Sequence, residues 1–347
     1  METERTDTFR ILDAAANRVR EGLRVAEDYA RFVLDDGHIS RLLKELRHEL
    51  AGRLAGFEAS GMIAARDTLR DVGTEISTAT EAARGVSLDV VRANLRRAEE
   101  GLRTLEEFGK LLDPVAATEF GRLRYRAYTL EKAILAADSA RERLAGCDLC
   151  LLLTAASCSV GVERVAREAL AAGVRMIQVR EKSLADDELL EHARRVREWI
   201  REAGALLIVN DRPDVAALAD ADGVHLGQDD LPVREARRIV GPRRLIGVST
   251  HDIEQARQAV LDGADYLGVG PTFPSGTKEF AAFAGIDFVR AAAAEISLPW
   301  FAIGGIGPEN LGDVLATGAT RVAVSAAICA AEDPAGVARR MLDRLGS

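Results

Sequence analysis

The sequence predicts an α/β protein with an all-α helical N-terminal domain followed by a C-terminal (β/α)₈ TIM barrel. Up to about residue 145, apolar residues recur at helical spacing between Arg and Glu residues. Beyond residue 147, short β-branched runs alternate with amphipathic helical segments, which is typical of successive βα units. A chain of 347 residues also exceeds the usual length of one domain. We therefore expect two domains, residues 1–143 and 144–347.

The helical domain contains one sequence pattern twice. Residues 21–29 read EGLRVAEDY and residues 100–108 read EGLRTLEEF. A recurring helical pattern indicates a duplicated helical hairpin. Between the repeats, residues 66–74 (RDTLRDVGT) have a composition too distinctive for a simple linker. Residues 1–146 contain no Walker-type glycine-rich loop, so the usual motif for kinase chemistry is missing from them.

The C-terminal domain contains eight short apolar runs with helical segments between and after them. Eight βα units in about 200 residues close into a compact barrel, in which the chemistry lies at the carboxyl ends of the strands. Polar residues occur at those ends, as an enzyme requires. The predicted runs cover residues 149–154, 176–182, 205–211, 223–227, 245–250, 266–271, 300–306 and 321–327.

Charge and composition argue against several functional classes. A net charge of −9 and a pI near 5.3 argue against nucleic acid as a partner, because phosphate backbones are bound by clustered positive charge. No apolar run approaches the ~18 residues of a membrane span, and the first residues are polar, so we expect a cytoplasmic protein without a membrane partner. Its four cysteines are expected to be reduced, with Cys147 and Cys150 as packing residues rather than zinc ligands.

Three polar residues alternate along the second predicted strand. Gln178, Arg180 and Lys182 share one face because strand side chains alternate, and a barrel turns that face inward. An amide, a guanidinium and an ammonium together suit a diphosphate, with Arg180 able to bind two oxygens and Lys182 acting as a point charge. The alternative is a solvated strand end whose charges pair with Glu181 or other acids.

Two carboxylates follow neighbouring predicted strands. Asn210 and Asp211 close the third run, and Asp230 follows the Gly-Gln-Asp sequence at the end of the fourth. Mg²⁺ favours one or two carboxylates together with waters and phosphate oxygens, so this pair predicts a magnesium site that bridges protein and diphosphate. The alternative is that the two aspartates cap helices, ahead of Pro213 and Pro232.

The loop at residues 270–278 (GPTFPSGTK) is too rich in small hydroxyl residues and lysine for a simple turn. We interpret it as a mobile loop that closes over an anion. Lys278 would neutralise a leaving diphosphate, and residues 275–277 would hydrogen-bond a second substrate. A flexible surface loop is the alternative.

Two further loops suit a phosphate group. Gly304 and Gly305 follow the seventh run and let backbone amides approach a ligand closely, and the eighth run ends at Ser325 and Ala326 near a helix start. This pair of loops is the usual phosphate site of TIM barrels, although a double glycine alone is weak evidence. His225 lies in a short strand, where a buried core role is favoured over a general base. No nucleophilic triad can be assembled from the sequence.

These motifs, in this order, resemble the thiamine phosphate synthase (thiamine-phosphate pyrophosphorylase) family over essentially all of the C-terminal domain. They are Gln-x-Arg-x-Lys at 178–182, Asn-Asp at 210–211, Gly-x-His-x-Gly-Gln-x-Asp at 223–230, Gly-Val-Ser at 247–249, the loop at 270–278 and Ile-Gly-Gly-Ile at 303–306.

The resemblance implies three sets of site residues. Around the pyrimidine diphosphate it implies Gln178, Arg180, Lys182, Asn210, Ser249 and Lys278, of which Arg180, Lys182 and Lys278 are the expected catalytic residues. The implied Mg²⁺ ligands are Asp211 and Asp230. Around the thiazole phosphate it implies Ser275, Gly276, Thr277 and Gly305, with the amides of the less clearly aligned Ser325 and Ala326.

By the same resemblance the expected reaction is a transfer. It joins 4-amino-2-methyl-5-(diphosphooxymethyl)pyrimidine to 4-methyl-5-(2-phosphooxyethyl)thiazole, or to its carboxylated form, and gives thiamine phosphate and diphosphate. The implied mechanism is dissociative: diphosphate leaves, a stabilised pyrimidine methyl cation forms, and the thiazole nitrogen attacks it. Such a site needs charge stabilisation and positioning rather than a nucleophile, which agrees with the residues found.

Two other functions remain open from the sequence. A thiazole tautomerase-like barrel would keep the phosphate site but isomerise its ligand, and a non-catalytic barrel would bind thiamine intermediates without turnover. Retention of the whole diphosphate and Mg²⁺ set favours the synthase. The helical domain is similar to an extension of some bacterial family members that has been linked to phosphorylation of the pyrimidine precursor. A regulatory or oligomerisation module is the alternative, and a homo-oligomer is one expected form.

Overall fold

A computed structural model describes residues 2–59, 61–67, 85–274 and 284–346 of the chain. The chain divides into two compact units, Met1–Leu135 and Ala136–Ser347. The domain boundary that the sequence predicts, at 143/144, lies where the fourth helix ends. None of the described helices is both long and apolar enough to cross a membrane.

The first unit is built from long helices, in agreement with the helical spacing of its apolar residues. Its described helices are α1 (Glu2–Phe32), α2 (Gly37–Ala59), α3 (Ser87–Gly109) and the greater part of α4 (Pro114–Arg143). Side-chain caps define two of the helix starts. The carboxylate of Asp36 accepts the Ile39 N–H at 2.6 Å, and that of Asp113 accepts the Val115 and Ala116 N–H groups at 3.0 Å.

The repeated Glu-Gly-Leu-Arg pattern places a glycine on each of two packed helices. A Cβ atom on Gly22 of α1 would lie 2.4 Å from the Asn94 carbonyl oxygen of α3, and one on Gly101 of α3 would lie 2.6 Å from Cγ2 of Val19 of α1. Both glycines therefore allow the two helix backbones to approach more closely than any side chain would permit.

Equivalent positions of the repeat also make equivalent ion pairs. Glu27 of α1 accepts a hydrogen bond from Arg47 of α2 at 2.6 Å, and Glu106 of α3 accepts one from Arg124 of α4 at 3.0 Å. Each pair joins the two helices of one hairpin. The duplicated sequence pattern thus corresponds to a duplicated contact.

We expect Gly22→Ala to lower the free energy of unfolding by about 1–3 kcal/mol, because its methyl group would overlap a backbone carbonyl that cannot rotate away. Gly52→Ala in α2 is the matched control, since a Cβ atom there meets nothing within 4 Å. The control should be neutral or about 0.5–1 kcal/mol more stable, because alanine favours helix over glycine. Urea unfolding followed by helical circular dichroism measures both. Equal stabilities of the two variants would contradict the close packing.

Glu99 of α3 is a buried acid in the same unit. Burial, followed by the charge of Glu131, raises its pKa from 4.5 to about 7. Among the described residues its Oε1 atom has no hydrogen-bond partner. The folded chain therefore holds a proton on this carboxyl over a pH range in which the unfolded chain has lost it.

This difference predicts a pH-dependent stability. Because the folded pKa lies above the unfolded value of 4.5, the wild type loses stability relative to Glu99→Gln as the pH rises from 4.5 to about 7. The loss should be roughly 1–3 kcal/mol and complete above pH 7. Urea unfolding of both proteins at low and at neutral pH measures it. A difference between the two proteins that does not change with pH would contradict the raised pKa.

The second unit contains a closed barrel of eight parallel strands in sequence order, with β1 paired to β8. The prediction of a (β/α)₈ barrel is confirmed. The strands are β1 (Leu149–Leu153), β2 (Met176–Val179), β3 (Leu206–Asn210), β4 (Gly223–Leu226), β5 (Leu245–Thr250), β6 (Tyr266–Val269), β7 (Trp300–Ile303) and β8 (Val322–Val324).

Helices surround the barrel between and after the strands. They are α5 (Val162–Ala172), α6 (Asp186–Ala203), α7 (Pro213–Leu218), α8 (Val233–Val240), α9 (Ile253–Asp262), α10 (Gly285–Glu295), α11 (Leu311–Leu315), α12 (Ala326–Cys329) and α13 (Pro334–Leu345). Several predicted runs extend past the strand ends. The runs 176–182, 300–306 and 321–327 each extend three residues too far, and in the first of them β2 ends at Val179, so that Arg180 and Lys182 already belong to the following loop.

Apolar side chains fill the barrel interior. One cluster joins inward-facing residues of several strands, among them Leu152, Met176, Ile208, Tyr266 and Phe301. Cys147 and Cys150 belong to this cluster as free, buried thiols. Burial raises the pKa of Cys147 to about 11, so it is a neutral packing residue at physiological pH.

Candidate active site

A cavity of about 380 Å³ opens among the carboxyl ends of the strands. Chemistry in TIM barrels lies at this end because loops from several strands converge there. Seven residues proposed from the sequence line the cavity, and they are Gln178, Arg180, Asn210, Ser249, Gly305, Ser325 and Ala326. Lys182, Asp211 and Asp230 are not among the residues that line it.

A chain of buried and half-buried polar side chains lies at one wall of the cavity. His225 contacts the Tyr266 hydroxyl through Nδ1 at 3.1 Å and the Ser249 hydroxyl through Nε2 at 2.9 Å. Tyr266 in turn hydrogen-bonds to Gln178. Burial lowers the pKa of His225 to about 4, so the imidazole is neutral at pH 7. Its two ring nitrogens therefore orient the neighbouring hydroxyls rather than carry a positive charge.

Gly247 of β5 makes room for this chain. A Cβ atom at this position would lie 2.1 Å from Cζ of Tyr266 and 2.5 Å from Nδ1 of His225. The Gly-Val-Ser motif thus combines two requirements: a glycine over which two rings pack, and a serine whose hydroxyl reaches the histidine.

Asp211 and Asp230 are close enough to affect each other. Burial, and then a hydrogen bond with Asp230 and that residue's charge, raise the pKa of Asp211 to about 6. The Nζ atom of Lys182 lies 3.7 Å from Oδ2 of Asp211. Asp211 has a φ angle of 61°, a left-handed conformation that aspartate tolerates better than most residues, and its N–H donates to the His225 carbonyl at 2.7 Å.

Asp211 and Asp230 do not cap the helices that follow them, whereas Lys182 does pair with an acid, Asp211. Helices α7 and α8 begin after Arg212 and Pro232, and no side chain caps either of them, so Asp211 and Asp230 are not their caps. Asp230 instead accepts the Gly227 N–H at 2.6 Å. Glu181 accepts the Ala155 N–H at 2.5 Å.

The carboxylate pair fits a divalent cation. Asp230 raises the pKa of Asp211 while the charges of Lys182 and Arg180 lower it, and a cation would further relieve the repulsion between the two carboxylates. Within the ranges that the structure describes, no group of three or more His, Cys, Asp and Glu residues forms a metal site. Two carboxylates are nevertheless sufficient for Mg²⁺, which keeps waters and substrate oxygens in its other positions.

The double glycine after β7 packs against the loop after β6. Gly304 and Gly305 have φ angles of 102° and 61°, and Cβ atoms on them would lie 2.8 Å from Cα of Pro271 and 2.7 Å from the Pro274 oxygen. Only glycine both adopts these positive φ angles without strain and leaves room for the neighbouring backbone. Their amides therefore lie at the cavity wall with no side chain to shield them.

The loop after β8 continues the same wall. The Ser325 hydroxyl donates to the Leu152 carbonyl of β1 at 2.9 Å, which holds the start of α12 against the first strand. Ser325 and Ala326 both line the cavity. Four other proposed residues, Ser275, Gly276, Thr277 and Lys278, lie outside the described part of the chain.

Sequence reasoning missed three polar residues of the cavity wall. Thr250, His251 and Glu309 line it. Thr250 ends β5 and His251 follows directly, so the rule that strand ends carry polar site residues would have found both. His251 contacts the Gly270 carbonyl through Nδ1 at 2.7 Å. Glu309 comes from the loop before α11, and no local pattern marks it.

A closed parallel barrel with a polar cavity at its strand ends is the architecture of a TIM-barrel enzyme. Comparisons with known proteins identify the family of such enzymes to which the chain belongs. A family model described as thiamine monophosphate synthase matches residues 149–328, and one described as the ThiD2 family matches residues 10–133. The chain belongs to the thiamine-phosphate synthase family, whose members are transferases (EC 2.5.1.3).

The similarity extends over both units. A thiamine-phosphate synthase of Synechocystis sp. is 42% identical over 340 residues, which are 98% of this chain and 97% of that protein. Another, of Gloeobacter violaceus, is 46% identical over 337 residues, 97% of this chain and 96% of that protein. A solved thiamine phosphate pyrophosphorylase from Pyrococcus furiosus is 34% identical with a TM-score of 0.54, and the match covers 58% of this chain and 98% of that one.

Proposed function

We propose that this chain condenses 4-amino-2-methyl-5-(diphosphooxymethyl)pyrimidine with 4-methyl-5-(2-phosphooxyethyl)thiazole, or its carboxylated form, to thiamine phosphate and diphosphate. The observation that carries the proposal is that Gln178 and Arg180 of the β2 segment and Gly304 and Gly305 of the loop after β7 line one and the same cavity. Its volume of about 380 Å³ is in the range of small-molecule sites.

The pyrimidine diphosphate would bind on the side of the cavity formed by β2, β3 and β5. Arg180 follows β2 directly, and two hydrogen bonds fix its backbone. Its N–H donates to the Leu153 carbonyl at 2.9 Å, and its carbonyl accepts from the Thr154 hydroxyl at 2.9 Å. Because these bonds involve only the backbone, the guanidinium is not needed for them and can bind two diphosphate oxygens. The other proposed contacts on this side are Gln178, Lys182, Asn210, Ser249 and Lys278.

Asp211 and Asp230 would hold a Mg²⁺ ion on the same side. When bound, Mg²⁺ neutralises negative charge on the diphosphate and so makes it a better leaving group. Lys182, 3.7 Å from Asp211, holds a positive charge next to this position. Arg180, Lys182 and Lys278 would stabilise the charge that develops as the carbon–oxygen bond breaks.

The thiazole phosphate would bind where the loops after β6, β7 and β8 meet. Unshielded amides at helix starts and glycine turns suit a phosphate group. The proposed contacts are Ser275, Gly276, Thr277, Gly305, Ser325 and Ala326. A thiazole fixed by its phosphate would present its nitrogen to the pyrimidine methyl cation.

The buried chain Gln178–Tyr266–His225–Ser249 supports a dissociative reaction. A neutral His225, with a pKa of about 4, adds no positive charge that would repel a pyrimidine cation. Oriented amide and hydroxyl groups can instead hydrogen-bond the pyrimidine ring. A protein nucleophile has no place in this mechanism. Such a biosynthetic enzyme would work in the cytoplasm on small molecules, alone or as a homo-oligomer.

The test is to follow both phosphorus-containing substrates by ³¹P NMR with full-length protein and Mg²⁺. The proposal predicts diphosphate and thiamine phosphate in equal amounts. Isomerised thiazole phosphate without diphosphate release would instead identify a tautomerase. Saturable binding of both substrates without any product would identify a binding module.

A further inference from the structure

Two of the four cysteines meet next to the cavity loops. Cys158 lies in the loop after β1, and Cys329 is the last residue of α12. The Ser159 N–H donates to the Cys329 carbonyl at 3.0 Å, and the Ser159 hydroxyl donates to the Ala331 carbonyl at 2.9 Å. These two bonds hold the loop and the helix end together.

Their thiols point to the same place. Sγ of Cys158 donates to the Thr154 carbonyl at 3.3 Å, and Sγ of Cys329 donates to the Leu152 carbonyl at 3.6 Å. Carbonyls two residues apart along an extended segment face the same side, and Thr154 is extended. The two thiols also lie close enough for each to shift the pKa of the other. The bond between the Ser159 N–H and the Cys329 carbonyl brings the two backbones together, as a disulfide with its Cα separation of about 4.4–6.8 Å requires.

This pair is also the more accessible one. Cys158 is partly exposed, whereas Cys147, Cys150 and Cys329 are buried. The interaction with Cys158 lowers the pKa of the Cys329 thiol, whereas the same interaction together with burial raises the pKa of Cys158, and burial raises that of Cys147 to about 11. An oxidant that reaches the barrel should therefore react at the Cys158–Cys329 pair first.

We propose that Cys158 and Cys329 are a modification site at which a hydroperoxide forms an intramolecular disulfide. One thiolate attacks a peroxide oxygen, the O–O bond breaks, and a sulfenic acid and a hydroxide ion form. The second sulfur then attacks the sulfenic sulfur and displaces its oxygen, which leaves as water. In sum, two thiols and hydrogen peroxide give one disulfide and two waters, with sulfur oxidised and peroxide reduced.

The disulfide affects the cavity through α12. Cys329 N–H donates to the Ser325 carbonyl at 2.9 Å, so the modified residue is one turn from the cavity-lining Ser325 and Ala326. A sulfur–sulfur bond of about 2.05 Å is shorter than any thiol contact, so this short helix must shift when the bond forms. We expect the KM for the thiazole phosphate to rise about 3–10-fold. This expectation rests on the proposed role of the loop in binding that substrate.

The experiment treats reduced full-length protein with hydrogen peroxide and measures intact mass and peptide connectivity, independently of activity. The expected product is about 2 Da lighter, contains a Cys158–Cys329 peptide and returns to the starting mass with dithiothreitol. Cys158→Ser and Cys329→Ser should each abolish the mass loss. A mass that does not change, oxygen addition to Cys158 without a link, or the same mass loss in Cys158→Ser would overturn the proposal.

The kinetic consequence is tested separately on the same samples. Oxidised wild type should show the raised KM, and peroxide-treated Cys158→Ser should not. A disulfide that forms and leaves KM unchanged would overturn the coupling to the cavity. Absence of synthase activity before oxidation would contradict the proposed function instead, while the mass measurement would still decide on the disulfide.

Discussion

Asp230→Asn is expected to lower kcat/KM about 10²–10³-fold at physiological Mg²⁺, because it removes one of the two carboxylates of the proposed cation site. Asparagine keeps the shape of the side chain and an oxygen that can accept the Gly227 N–H, which Asp230 binds at 2.6 Å. Only the charge is lost. Higher Mg²⁺ should restore part of the activity, since the variant weakens binding of the ion and leaves the other groups in place.

The neighbouring residue provides the control. Asp229 is exposed, does not line the cavity and has the same charge, so Asp229→Asn changes the net charge of the chain equally. It should retain wild-type kinetics. Initial rates as a function of Mg²⁺ concentration measure both variants. Equal Mg²⁺ dependence in Asp230→Asn, Asp229→Asn and the wild type would rule out the carboxylate pair as the metal site.

Arg180→Ala should have an effect of similar or larger size, a loss of about 10²–10⁴-fold in kcat/KM for the pyrimidine diphosphate. The backbone of Arg180 is held by hydrogen bonds that do not involve its side chain, so the fold should tolerate the change. A guanidinium that binds the diphosphate more tightly as it leaves stabilises the transition state, so kcat should fall as well as kcat/KM.

Arg180→Lys separates charge from geometry. Lysine keeps the charge but cannot bind two oxygens in one plane, so it should recover only part of the activity. Arg234→Ala, a change of an arginine whose side chain is 87% exposed, is the control for loss of one positive charge. Full activity of Arg180→Ala with unchanged thermal stability would contradict the placement of the diphosphate.

The barrel and the general position of its site could be predicted from sequence because both depend on local periodicity. Apolar runs of strand length alternate with helices, and polar residues follow the strands. The predicted run at 176–182 extended past β2 because the alternation of Gln178, Arg180 and Lys182 continues beyond Val179, the last residue of the strand. Hydrophobic spacing reports which side a residue faces, but not where the ladder of hydrogen bonds stops.

Contacts between distant segments were beyond this reasoning. The hydrogen bonds of His225 join residues of β4, β5 and β6. The sequence of one strand does not indicate which residues of the other two will be its partners. Capping by Asp211 and Asp230 could not be excluded from sequence because both precede a proline, and only the observed helix starts exclude it. The repeated glycines of the helical unit were visible as a pattern, but their reason, the close approach of α1 and α3, required the structure.

The most direct test of the central claim is thiamine phosphate formation from both substrates, with and without Mg²⁺, by the wild type and an Asp211→Ala/Lys182→Ala double variant. Because the two side chains lie 3.7 Å apart with opposite charges, removing both leaves the net charge of the chain unchanged, and circular dichroism checks that the double variant is folded. The account predicts metal-dependent product from the wild type and essentially none from the folded double variant. Wild-type rates in the double variant, or no product from well-folded wild type, would contradict it.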